Sequence, residues 1–163
     1  FYNILRMDMH TKKLTNCDMY AARTRKRTDG IMGDFVKYYD GAFCEPGNFG
    51  RETALLQRAW HTRVIYMQAF DRYVLSCSGI NTNPDIPRLI DDVAYLSESD
   101  DLISWSAPKP IMHEGKPYGN HYVAIVSEDK EGKPCVASGE AVSVLCNHNA
   151  TDVDRFRAKL KLK

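Results

Sequence analysis

Two stretches of this chain, sixty positions apart, follow one order. In each, a loop delivers a histidine, His61 or His121. An apolar run follows, Val64-Ile65-Tyr66-Met67 in the first and Tyr122-Val123-Ala124-Ile125-Val126 in the second. A turn carrying Asp and a second strand ending in Ser or Cys complete each unit. Short apolar runs bounded by turn residues are the pattern of strands buried on both faces. The opening residues read as the tail of the same unit without its first strand. Asp29-Gly30…Phe35 there takes the place that Asp100-Asp101…Trp105 takes later. Such an echo restricts the fold to repeated antiparallel sheets. The expected architecture is an all-β propeller, although propeller blades usually run to about 40–50 residues. A β-sandwich, which needs no repeat, is the alternative.

Taken in order, residues 2–10 alternate apolar and polar, which is strand periodicity. Residues 18–26 and 35–39 give two more strands, separated by Thr28-Asp29-Gly30 and Gly33-Asp34. Residues 40–57 hold Pro46 and the glycines 41, 47 and 50. They read as an irregular loop, with a helical turn at Ala54-Leu55-Leu56. The second unit opens at Trp60-His61-Thr62-Arg63, continues through a strand at 73–78, and reads as loop over 80–89. A strand at 93–98 then enters Ser99-Asp100-Asp101, whose side chains fold back on their own backbone to make a tight turn. Residues 104–112 form the return strand, and Trp105 rejoins the apolar layer. The third unit starts at Tyr118-Gly119-Asn120-His121. It has a charged hairpin tip at 128–133 and a strand at 134–145. Residues 153–162 read as an edge strand blunted by charge or as a short terminal helix, with the strand as the expectation. All of 1–163 is read as one domain.

Lys and Arg number 22 against 21 Asp and Glu, a net charge of +1. No basic field is available to draw nucleic acid. No run is long enough to span a membrane as a helix, and no basic-then-apolar leader opens the chain. The first residue is Phe1, already in strand-like sequence, so the chain reads as a piece of a longer fold. Cys17, Cys44, Cys77, Cys135 and Cys146 are odd in number and irregular in spacing. They read as small core residues, not as a disulfide framework or zinc ligands, and favour a reducing compartment such as the cytoplasm.

Ser99-Asp100-Asp101-Leu102-Ile103-Ser104-Trp105 resembles the outer hairpin of five-bladed β-propeller glycoside hydrolases of the arabinanase and β-xylosidase type, family 43 and its relatives. Lys37-Tyr38-Tyr39-Asp40-Gly41-Ala42-Phe43-Cys44-Glu45-Pro46-Gly47 and Tyr118-Gly119-Asn120-His121-Tyr122 resemble recurring segments of bacterial members of that group. The resemblance spans nearly the whole chain. It implies about three antiparallel blades from the C-terminal part of such a ring, the first incomplete. It further implies hydrolysis or binding of glycosidic substrates by the full-length protein, with this segment inactive alone. The alternative is a non-catalytic module that binds glycan or protein.

In that family one Asp activates water, one Glu protonates the leaving oxygen and a second Asp tunes the acid. The resemblance implies that both Asp positions lie upstream of Phe1. Where the family often has its Glu, this chain has Trp60-His61-Thr62-Arg63, so the acid falls to Glu45 or Glu52 in the preceding loop, with Glu45 preferred. His121 stands where the family often places a channel histidine that holds a metal ion, here calcium, or an ordered water. The other reading is that it hydrogen-bonds its loop. No cofactor is otherwise required. His61 is a weaker candidate for the same role. Arg63 forks onto a carboxylate, of substrate or of protein. Trp60 and Tyr118 flank the histidines, as suits rings that stack on sugar C–H faces. The expected partner is carbohydrate, with self-association through exposed blade edges as a further expectation.

Overall fold

The computed structural model of the chain describes residues 1–11, 14–25, 29–80, 90–119, 122–129, 133, 135–147 and 153–161. These residues are all-β, with fifteen strands and no helix among them. They group into two compact units, 1–58 and 59–163, each described here by itself.

In the first unit β1 (Tyr2–Met7) and β2 (Leu14–Tyr20) form an antiparallel hairpin. A second antiparallel sheet joins β3 (Ala22–Arg23), β4 (Val36–Tyr39) and β5 (Ala42–Pro46), with β4 central. The presence of β5 corrects the expectation of an irregular loop over 40–57. Tyr39 pairs with Ala42, leaving Asp40 and Gly41 as a two-residue loop, and both have positive φ, 46° and 89°. That is the turn whose twist matches the strands it joins, and Asp-Gly is its usual sequence. Leu56 bridges to Met19, so the expected helical turn at 54–56 is absent as well. Around Cys17, Met19, Tyr20 and Leu56 the unit is closed to solvent.

The second unit opens with a meander of antiparallel strands, β6 (Ala59–Met67), β7 (Arg72–Ile80), β8 (Ile90–Ser99) and β9 (Lys109–Pro110). The small hairpin of β10 (Met112–His113) and β11 (Lys116–Pro117) follows. Next comes β12 (Val123–Ser127). The short β13 (Val136–Ala137) lies parallel to β6 and extends the meander on its far side. The last strands, β14 (Ala141–Asn147) and β15 (Val153–Lys159), complete a sheet in the order β12-β14-β15. The return strand expected over 104–112 shrinks to β9. A run of turn and irregular backbone comes first, because Ser106 already bonds back to Glu98 from outside the ladder. Trp105 is half-buried. The strand expected over 134–145 is split into β13 and β14, and the terminal segment is a strand.

Register shows why these strands make two layers. Ile65, Met67 and Val74 share one face of the meander and pack with Ile125 and Val142 of the second sheet. Ala94, Val123 and Val144 extend the same contact. Face-to-face sheets of this kind occur both in neighbouring propeller blades and in sandwiches. Cys17, Cys77 and Cys146 are buried as core thiols, and burial pushes Cys77 up to about 12. Cys44 and Cys135 are exposed, so the core reading fails for those two.

Candidate functional site

The ladder between β6 and β7 slips near the start of β6. Trp60 lies opposite Ser78 and Arg63 opposite Ser76, so His61 and Thr62 together face Cys77. Bulges of this kind re-aim a side chain, and they are common beside functional sites. His61 takes φ +52°, a left-handed conformation that costs a residue with a Cβ about 1–2 kcal/mol. Tyr122, immediately before β12, does the same at φ +59°. The two strained residues meet. The His61 and Tyr122 ring centroids are 4.2 Å apart, and His61 stacks on Trp60 at 4.6 Å with 16° between the planes. Tyr122 is 48% exposed and Trp60 and His61 are half-buried, so this aromatic platform is open to solvent. It is assembled from the opening residues of the first strand in each layer.

The other predicted residues are not among the three stacked rings. Arg63 is exposed on β6, and its Nη1 donates to the Thr62 carbonyl at 3.0 Å. Tyr118 packs edge-on against Phe156 and His113, and its hydroxyl donates to Asp154 at 3.3 Å. Burial, with Cys146 and Asp154 adding to it, pushes the Tyr118 phenol up to about 12. It lies against the second apolar cluster. His121 lies outside the described residues. Among the described residues no group of three or more His, Cys, Asp and Glu side chains gathers as metal ligands do.

Glu45 sits on β5, not in a loop. Arg51 Nε and Nη2 both donate to its Oε1, at 2.9 and 2.6 Å, and the Arg51 amide donates to Oε2 at 3.3 Å. The Arg51 guanidinium, itself over the Tyr39 ring at 4.2 Å, holds the Glu45 carboxyl below its usual range. A general acid needs the opposite displacement. Glu52 is held by Lys37 Nζ at 2.5 Å and accepts from the Tyr2 hydroxyl at 3.3 Å. Beside that pair, within the first unit, lies a cleft of about 840 Å³ lined by Phe1, Tyr2, Phe35, Lys37 and Pro46.

No protein-family model, curated protein or solved structure matches this chain. The chemistry of the platform therefore has to be read from its own residues. Trp and Tyr offer broad apolar faces with a polar tip, and imidazole adds a donor or an acceptor. Such a surface suits a ligand with flat C–H faces and hydroxyl edges. Of the three rings that meet here, the sequence reading names Trp60 and His61 as candidates and does not name Tyr122. The available signal was its place directly after His121, at the second unit's equivalent of the position following His61.

Proposed function

We propose that this chain is a segment of a β-propeller of the glycoside-hydrolase type, and that its second unit binds glycan through Trp60, His61 and Tyr122. The observation that carries this reading is the contact of His61 with Tyr122 at 4.2 Å. In a propeller the opening residues of each blade's innermost strand converge on a shared channel. The platform joins Trp60 and His61, near the start of β6, to Tyr122, immediately before β12. Binding is favoured over acid catalysis because Arg51 secures Glu45 in its ionised form. Hydrolysis by a longer protein is the second reading. The support for it is the likeness of the Ser99–Trp105 sequence, which lies between β8 and β9, to the hairpin of that family.

Calorimetric titration with arabino- and xylo-oligosaccharides tests the proposal. The chain binds them weakly, and Trp60→Ala or Tyr122→Ala removes the heat without changing the far-UV circular dichroism. Undiminished binding by both variants would place the sugar elsewhere. No binding by the native chain would remove the proposal.

A further inference from the structure

We infer that the sugar held at this platform carries a carboxylate, and that Arg63 is the residue that selects it. This rests on the glycan reading above and names its substrate class. The sequence leaves two partners open for the Arg63 fork, a carboxylate of the protein or one of the substrate. Four other arginines in the fold have found theirs: Arg51 on Glu45, Arg72 on Asp100, and Arg155 and Arg157 on Glu128. Arg63 is different. It is exposed, and one Nη1 bond to the Thr62 carbonyl is its hydrogen bond, with no carboxylate in ion-pair reach among the described residues. That bond steadies the guanidinium at one nitrogen and leaves Nε and Nη2 without a partner among the described residues.

Register places this cation on the face of the ladder that Trp60 shares. Ser76 and Ser78 are alternate residues of β7 and share a face, so their partners Arg63 and Trp60 project on that same face, either side of the bulge. Directly opposite Arg63 the Ser76 hydroxyl is 1% exposed and has no hydrogen-bond partner among the described residues. Buried hydroxyls are nearly always satisfied. One rung of the ladder thus holds both an uncommitted fork and an unused hydroxyl.

A hexuronic acid has the matching shape. Its pyranose C–H face covers an aromatic ring while the carboxylate leaves the ring edge in plane, where a guanidinium takes it with two parallel N–H bonds. A neutral pentose or hexose satisfies the rings and leaves the fork empty.

The test compares binding of galacturonic and glucuronic acid oligosaccharides with neutral oligosaccharides of equal length by the whole chain. The acidic series binds about tenfold more tightly at low salt, the gain expected of a charge-assisted pair. The preference shrinks as salt rises. Arg63→Gln brings acidic binding down to the neutral level, and Arg63→Lys restores part of the difference, which a merely structural role would not do. Equal binding of the two series by the native chain, or a preference that survives Arg63→Gln, overturns the inference and leaves the glycan reading standing. No binding of either series by a folded chain overturns both.

Discussion

Asp101 organises its turn with a single carboxylate. Its Oδ1 accepts from the amides of Ile103 and Ser104 at 2.8 and 2.7 Å and from the Ser99 hydroxyl at 3.1 Å. Its Oδ2 accepts from the Ser104 hydroxyl at 2.9 Å. The Trp105 indole closes the turn by donating to the Leu102 carbonyl at 3.2 Å. The Ser104 and Ile103 amides are the main reason that the Asp101 carboxyl drops to about 2. Because the folded value lies below the ordinary one, the stabilisation is complete above about pH 4, near the unfolded value. It is lost as pH falls through the folded value. Asp101→Asn is expected to melt earlier at neutral pH and to lose less on acidification than the native chain, measured by thermal denaturation at a series of pH values. A parallel acid response in both would remove this carboxylate from the explanation. His61 carries a different residue-scale expectation. Replacing it with Gly relieves the left-handed strain and stabilises the chain by about 1 kcal/mol, while sugar binding weakens. Urea unfolding and calorimetry read the two effects separately.

Elements were legible where one periodicity dominated. Tyr66, Met67 and the runs at 73–78 and 122–126 are apolar enough to read as strands, and each falls in or beside a strand. β5 is not legible as a strand because Pro46, Gly47 and Gly50 read as marks of irregular loop, although Asp40-Gly41 is hairpin-turn sequence. The return strand of the hairpin that follows β8 is shorter than its sequence suggests. Its sequence alternates acceptably, but the Asp101 turn consumes residues that the pattern assigned to the ladder. Of the site, Trp60, His61 and Arg63 could be named from residue type, whereas the bulge that joins them depends on cross-strand pairing and leaves no mark in local sequence. Gly119 shows the same division. Its motif was visible, and its reason was not: at φ +139° it lies so close to β8 that a Cβ would stand 2.2 Å from the Ala94 amide nitrogen. The Ala94 amide meanwhile donates to the Tyr118 carbonyl at 3.0 Å. Gly119→Ala is therefore expected to cost about 3 kcal/mol or more, seen as a lower urea midpoint. An unchanged midpoint would mean that the segment moves aside freely.

At the scale of the whole molecule, the all-β class follows from alternation and turn residues, while the way the strands group into sheets depends on pairings that no local pattern contains. The second unit ends on β15, an edge strand. Arg155 and Arg157 keep their side chains 60% and 81% exposed there while sharing the Glu128 carboxylate. Charge on an edge discourages strand addition. Replacing both arginines with Ser is expected to promote association through that edge, read by sedimentation velocity, and unchanged sedimentation would mean that the arginines do not guard it. Glycan recognition is tested most directly by the two indole N–H resonances, one from Trp60 and one from Trp105, in a titration with uronic-acid oligosaccharide. The Trp60 resonance is predicted to shift and saturate while that of Trp105, held in its own turn, stays in place. A shift confined to Trp105, or no shift at either, would contradict a sugar seated on the aromatic platform.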